Sequence, residues 1–419
     1  MVPNGWGLKS LTEAGMTVTD GDRGKEYPNS SELFEEGYCL FLSAKNVTKK
    51  GFLFEETQFI SKDKHEKLRK GTVKRGDIIL TTRGTVGQTA LYDESIKYDV
   101  IRINSGMATI GCNKSEILSN FFYAYTNSSL FKRQIESLTF GSAQPQLTLK
   151  IIKSLKVLIP PIPEQQKIAN ILTTWDKAID TTERLIDNSK QQKKALMQQL
   201  LTGNKRLLDD NGKPFEGEWK SGYLEELCDF KGGSAFKEKY QGKSEGDLPF
   251  IKVSDMNIKG NEKFIIKSNN WIMHEDLAIM KVKSFPAGSV VFAKVGAALL
   301  LNRRRILVRD TIIDNNMMAA MPKDNCITSY LYYLMLAIDF AKLVQEGAVP
   351  SINQSDLGRF KIAYTPSHKE QQKIAAVLTN ADKEIELLEQ QLADLQQEKK
   401  ALMQVLLTGK KRVRVDEIV

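Results

Sequence analysis

Three polar loops hold the side chains with the most to offer a ligand. The first reads Thr82-Arg83-Gly84-Thr85-Val86-Gly87-Gln88, and Lys294-Val295-Gly296-Ala297-Ala298 answers it later in the chain. Glycine lets a backbone approach a phosphate closely, and Arg83 or Lys294 supplies the counter-charge. The second loop, Gly141-Ser142-Ala143-Gln144-Pro145-Gln146, is matched by Val349-Pro350-Ser351-Ile352-Asn353-Gln354. Asn and Gln place a donor beside an acceptor, the pattern that reads an adenine edge. The third is the basic run after Asn302. The candidate contacts are Arg83, Gly84, Thr85, Gln88, Gln144, Gln146, Lys294, Arg303, Arg304, Arg305, Ser351, Asn353 and Gln354. The competing reading of each loop is a solvated turn.

Residues for bond-making chemistry are not found. There is no Asn-Pro-Pro-Tyr or Asp-Pro-Pro-Tyr, and no glycine-rich turn suited to S-adenosylmethionine. Gly242-Lys243-Ser244 resembles the end of a Walker A loop, but residue 237 is lysine where glycine is required. Asp20-Gly21-Asp22 does not continue as a calcium loop. Cys39, Cys112, Cys228 and Cys326 are scattered, and the chain has three histidines. That pattern reads as reduced thiols in a cytoplasmic protein, with no metal site. No apolar run of ~20 residues is present, so no membrane span is expected, and MVPNGWGLKS lacks the regions of a signal peptide.

The elements that must carry the loops come in duplicate. Residues 164–206 return as 370–412, a shift of 370 − 164 = 206 without a gap, and about 25 of the 43 positions are identical. The copies begin Glu-Gln-Gln-Lys-Ile-Ala and end Lys-Lys-Ala-Leu-Met-Gln-x-Leu-Leu-Thr-Gly. Beyond them the repeat is weak. Trp6 pairs with Trp219, Gly76 and Gly84 with Gly288 and Gly296 at a shift of 212, and His65-Glu66 with His274-Glu275 at 209. Such a repeat means one unit written twice. The helical parts were held constant while the globular parts diverged.

Apolar residues in the repeated segment alternate at spacings of four and three. The seam runs Ile168, Leu172, Trp175, Ile179, Leu196, Leu200 in the first copy and Ile374, Leu378, Ile385, Leu388, Leu392, Leu402, Leu406 in the second. This is a coiled-coil heptad. Lys193 and Lys399 interrupt it at equivalent places and are expected to snorkel to solvent; contact with a partner subunit is the alternative. Gly203 and Gly409 are set to cap the helices in the left-handed conformation. A helix of ~40 residues spans about 60 Å. The polar linker NKRLLDDNGKPFEGEW then favours an antiparallel pair with one module at each end.

Strands are expected at Cys39–Leu42, 77–82, 100–103 and 155–159, and at 249–253, 289–293, 306–308 and 360–363. The aromatic helices around Phe121–Tyr125 and Leu331–Ile338 should pack the cores. The fold class is α+β: two strand-rich mixed α/β modules joined by two long helices in an antiparallel coiled coil, with an internal pseudo-two-fold repeat. The division is 1–160, 161–206, 207–366, 367–412 and a tail at 413–419. Residues 1–160 hold 22 Lys+Arg against 17 Asp+Glu, and 212–366 hold 21 against 18; the modules thus carry +5 and +3 of the net +9. A basic module beside a nearly neutral coil suggests a polyanion for the modules.

The motif P-x-x-E-Q-Q-K-I-A at 161–169, its echo at 370–375 and the two Leu-Leu-Thr-Gly endings make the chain resemble the specificity (S) subunits of type I restriction-modification enzymes over its whole length. The resemblance implies two target recognition domains, each reading one half of a bipartite site in double-stranded DNA. It also implies a coil that sets the spacer and docks two methyltransferase (M) subunits, with restriction (R) subunits in the full complex. S-adenosylmethionine, ATP and Mg would belong to those partners, and this chain would perform no catalysis. Lys294-Val295-Gly296-Ala297-Ala298 departs from the first module's loop. The competing classes are a coiled-coil scaffold that binds proteins only and an enzyme with an unrecognised active site.

Overall fold

The computed structural model describes residues 2–139, 146–344 and 349–415. They form two compact units, residues 1–183 with 390–419 and residues 184–389. Each unit holds one globular module, the first part of the long helix that follows it, and the last part of the other long helix.

The two long helices are Ile162–Leu200 and His368–Leu406, 39 residues each, and they start and stop at the same shift as the sequence repeat. Both end alike. The hydroxyls of Thr202 and Thr408 donate to the carbonyls four residues back, each at 2.6 Å. Gly203 (φ +74°) and Gly409 (φ +68°) then turn the chain left-handed. A methyl group on Gly203 would stand 2.7 Å from the Trp219 indole, and one on Gly409 would meet Pro3 and Trp6. The tryptophan pair seen in the sequence is therefore packed on the two helix caps.

The seam is buried or half-buried at every expected position in both helices. In the first unit Ile168, Leu172 and Leu406 join the core of the globular module. In the second, Ile374, Leu378 and Leu200 do the same. Arg412 pairs with Glu164 and Lys399 with Asp176 in the first unit; Arg206 pairs with Glu370 and Lys193 with Asp382 in the second. As one partner advances along its helix the other retreats, so the segments run antiparallel within each unit. These pairs correct the expectation for the lysines. Lys193 and Lys399 do not snorkel; each is a half-buried cation held by the aspartate of the facing segment.

The modules share one topology. In the first, Thr17–Asp20, Met107–Gly111, Ile78–Thr81 and Thr89–Leu91 form an antiparallel sheet. In the second, Cys228–Gly232, Met317–Pro322, Val290–Ala293 and Arg305–Leu307 repeat it, and Phe264–Ile265 adds a parallel edge strand. A smaller sheet follows in each. Cys39–Leu42 lies antiparallel to Phe59–Ile60 and parallel to Ile101–Ile103; Leu248–Ile251 lies antiparallel to Trp271–Ile272 and parallel to Ile312–Ile313. The strands expected from the sequence are present with edges moved by one or two residues. The largest change is at Val253, which opens a 3-10 turn, Val253–Asn257, in place of ending a strand. The His65/His274 match is not structural. Ser61 caps Lys62–Lys67 and Met273 holds the same N-terminal position before His274–Met280, so the helices correspond at 212 and the histidines sit three residues apart.

The aromatic helices Ser119–Thr126 and Thr328–Ala337 lie in the cores as expected. Phe121, Phe122 and Tyr125 pack the first module; Tyr330, Leu331 and Tyr333 pack the second. Gln165 and Gln371 then bolt the modules to the long helices. Gln165 Nε2 donates to the Glu116 and Pro160 carbonyls at 2.9 Å, and its Oε1 accepts from Leu118 N at 2.8 Å. Gln371 repeats this with the Asn325 and Thr365 carbonyls and Ile327 N. The Glu-Gln-Gln motif is thus architectural: Glu holds the facing helix segment and the first Gln holds the module.

Candidate nucleic-acid interface

In both modules the first polar loop meets the segment of the second: Gln146-Leu147 in the first module, where residues 141–145 lie outside the described residues, and residues 350–352 in the second. In the first, Leu147 N donates to Thr82 O at 3.1 Å. Thr81 Oγ1 accepts from Gln88 N at 3.0 Å, and Gly84 (φ +70°) and Gly87 (φ +87°) let the chain turn between them. Arg83, Gly84 and Thr85 are exposed at the tip, and Gln88 is half-buried at its foot. With the Gln146 amide turned so that its carbonyl faces the guanidinium, Oε1 accepts from Arg83 Nε (3.1 Å) and Nη2 (3.0 Å). Gln144 lies outside the described residues.

In the second module Ile352 N donates to Lys294 O at 3.0 Å, Gly296 N donates to Pro350 O at 2.8 Å, and Val295 bridges Ser351. Gly296 has φ +74°, matching Gly84. Ser351 is half-buried and Gln354 exposed. Asn353 is an N-cap: its Oδ1 accepts from Asp356 N at 2.6 Å and its Nδ2 donates to Asp356 Oδ2 at 2.7 Å. Both halves of its amide are therefore in use.

The basic run is the clear correction. Arg303 is exposed and donates to Asn257. Arg304 is 0% exposed. Its guanidinium lies 3.5 Å from the Phe340 ring centre and donates to Ile338 O at 2.7 Å and Asn302 Oδ1 at 3.1 Å. Burial pulls its pKa down to about 9. Arg305 is half-buried, donating to Arg304 O at 2.8 Å and Met256 O at 3.1 Å. Asn302, at φ +52°, turns the chain into the strand Arg305–Leu307 and aims Arg304 inward. Three adjacent arginines thus give one surface cation.

Two groups at the first module's loops are absent from the candidate contacts. Asp20 Oδ1 and Thr82 Oγ1 are buried without a hydrogen-bond partner. Both line a cavity of about 130 Å³ with Arg23, Met107 and Gln146. In the sequence Asp20-Gly21 reads only as a calcium loop that does not continue. A signal was available: at the shift of 212 that pairs Gly84 with Gly296, Asp20-Gly21 falls on Gly232-Gly233 and Thr82 on Lys294.

A larger open cleft of about 780 Å³ is lined by Glu35, Glu55, Glu56 and Lys45, an acidic wall unsuited to phosphates. All four cysteines are buried and free. Burial pushes the thiols up, Cys112 to about 11 and Cys39 and Cys326 to about 12, so none is a ready thiolate at neutral pH. No helix among the described residues is long and apolar enough to cross a membrane.

The chain matches a family described as the type I restriction modification DNA specificity domain twice, over residues 3–190 and 216–397. It is 24% identical over 314 residues to the type I restriction enzyme MjaVIII specificity subunit of Methanocaldococcus jannaschii, covering 72% of each chain. It is 28% identical over 177 residues to the EcoR124I/EcoR124II specificity subunit of Escherichia coli, covering 41% of this chain and 42% of that one. Among solved structures it resembles a chain from work on assembly and conformational transition of a type I R-M system (TM-score 0.60, 16% identity, 98% of this chain and 100% of that one). It also resembles the type I S subunit from M. genitalium (TM-score 0.57, 14% identity, 97% of each chain).

Proposed function

The chain belongs to the type I restriction-modification DNA specificity family, and from that premise we propose that it is the non-catalytic subunit that chooses the DNA site. Each module reads one half of a bipartite sequence through its converged loops. The observation that carries this is the contrast within the duplication. The same scaffold presents a loop pair twice, with Thr82, Arg83 and Gln146 in one module and Lys294, Ser351 and Gln354 in the other. Identical framing around different polar groups is what two half-site readers require.

The coil serves the partners and the spacing. Several exposed residues are identical in both helices: Gln166 and Gln372, Lys177 and Lys383, Lys194 and Lys400, Gln198 and Gln404. Buried identity is explained by packing; exposed identity is not. A surface presented twice fits two copies of one partner, here the methyltransferase subunits, with restriction subunits joining in the full complex. S-adenosylmethionine, ATP and Mg act in those partners. A place in the cytoplasm, with the DNA, follows from this role. A helix of 39 residues is about 58 Å long. At ~3.4 Å per base pair that helix length corresponds to roughly 17 base pairs of DNA.

Co-expression with the cognate methyltransferase, followed by genome-wide mapping of methylated adenines, tests the reading. Two short specific blocks separated by a fixed unspecified gap support it. A continuous motif, or methyl transfer by the chain alone, refutes it. Inserting four residues near Asn188, about 6 Å of helix, should lengthen the gap by one or two base pairs and leave both blocks unchanged.

A further inference from the structure

The two modules can be aligned residue by residue through their sheets. Asp20 faces Ala108 and Thr81 faces Met107 in the first; Gly232 faces Met318 and Ala293 faces Met317 in the second. Asp20 therefore corresponds to Gly232 and Thr82 to Lys294. The next residues confirm the alignment. A Cβ on Gly21 would collide with the Asn104 carbonyl, and one on Gly233 with the Asp314 carbonyl.

At this shared position the modules carry opposite chemistry. In the first, Thr82 is 3% exposed and its Oγ1 has no partner, although it lines the cavity beside the Arg83–Gln146 pair. Asp20 Oδ1 has no hydrogen bond; it is ion-paired with Lys70 Nζ at 3.7 Å, and its side chain is 22% exposed. A buried hydroxyl such as Thr82 Oγ1 forfeits its water without a replacement donor, so beside this cavity and the Asp20 carboxylate it marks a place suited to an incoming donor. In the second module the carboxylate is gone. A Cβ on Gly232 would stand 3.0 Å from Lys294 Nζ, so the glycine makes room for an ammonium. No hydrogen-bond or ion-pair partner holds that ammonium among the described residues.

We propose that Asp20 and Thr82 form a base-reading subsite that accepts from an exocyclic amino group, cytosine N4 or adenine N6, and that Lys294 above Gly232 makes the equivalent subsite of the second module a donor to guanine O6 and N7. A carboxylate suits cytosine N4, and a lysine suits the guanine acceptors. The difference between the half-sites thus includes one position where a donor-bearing base is exchanged for an acceptor-bearing one. This rests on the reading of the modules as half-site readers.

The test uses the assembled complex with its methyltransferase, and maps methylated sites for the wild type and for Asp20→Asn, Thr82→Val and Lys294→Met. The Asp20→Asn change turns one of two acceptor oxygens into a donor and leaves an acceptor beside it, the pattern that reads adenine, so preference at one position of the first half-site should shift from cytosine toward adenine on the order of tenfold. The second half-site should not change. Thr82→Val, nearly isosteric and neutral, should relax the same position, and Lys294→Met should relax one guanine of the second half-site. Unchanged motifs in all three variants overturn the proposal. So does a uniform loss of methylation at every site, which would mark these groups as structural. A wild-type complex with no bipartite motif would strike the functional reading itself, a different result from either.

Discussion

Arg206 grips Glu370 through one edge of its guanidinium, Nε to Oε1 at 2.9 Å and Nη2 to Oε2 at 2.8 Å, and the Glu370 side chain is 0% exposed. Trp219 Nε1 and Thr365 Oγ1 donate to the same carboxylate at 3.3 and 2.7 Å. The clasp ties the end of one long helix to the start of the other. Arg412 and Glu164 repeat it in the first unit, with Arg412 5.7 Å from the Trp6 ring centre.

Glu370→Ala should destabilise the second unit by about 1–3 kcal/mol, because it removes the Arg206 pair and leaves the buried Thr365 hydroxyl without its acceptor. Denaturant unfolding checks this. The pH dependence has a definite sign. Burial acts to raise the Glu370 pKa, but Arg206, Thr365 and Trp219 outweigh it and hold the carboxyl below its ordinary value. Burial likewise opposes Lys193, Tyr333 and Lys263 at Asp382, and the net direction is again down. Both groups therefore stabilise the fold above the ordinary carboxyl range of about 4. That stabilisation is lost as pH falls through their depressed folded values. Glu370→Gln should weaken the acid sensitivity of unfolding; an unchanged acid limb would contradict the assignment.

The arginine run separates surface charge from packing. Arg303→Ala and Arg83→Ala should leave stability nearly unchanged. Each should lower the slope of log affinity against log salt for the assembled complex by about 0.9 if it meets a phosphate. Arg304→Ala should leave that slope alone and lower the stability of the second unit, since it empties the stack on Phe340. A salt slope that responds to Arg304 and ignores Arg303 would reverse the assignment.

Gly203→Ala should cost about 1–2 kcal/mol from the left-handed backbone alone, and more because Trp219 must move. Gly212 has the same φ of +74° with nothing within 4 Å of a Cβ, so Gly212→Ala isolates the backbone contribution. Equal losses in the two variants, measured by thermal unfolding, would remove the Trp219 contact from the account.

Much of this was legible in the sequence. The heptads, the glycine caps and the duplication are periodic and local, so the helix bounds and the seam could be read directly. The converging loops could be read as pairs because glycines mark backbone turns in both copies. What hid were effects of direction and depth. Arg304 and Arg303 differ only in which side of a strand they enter. Lys193 and Lys399 break the seam pattern, but their aspartates lie on the facing segment, far away in sequence. Asp20 matters through an empty space beside it, which no spacing of residues reports.

The central claim is that each module reads its own half-site. Replacing residues 1–160 with the first recognition domain of another family member, and mapping adenine methylation by the assembled complex, addresses it most directly. The account predicts one new half-site, with the second half-site retained. A change in both half-sites together, or in neither, would contradict it.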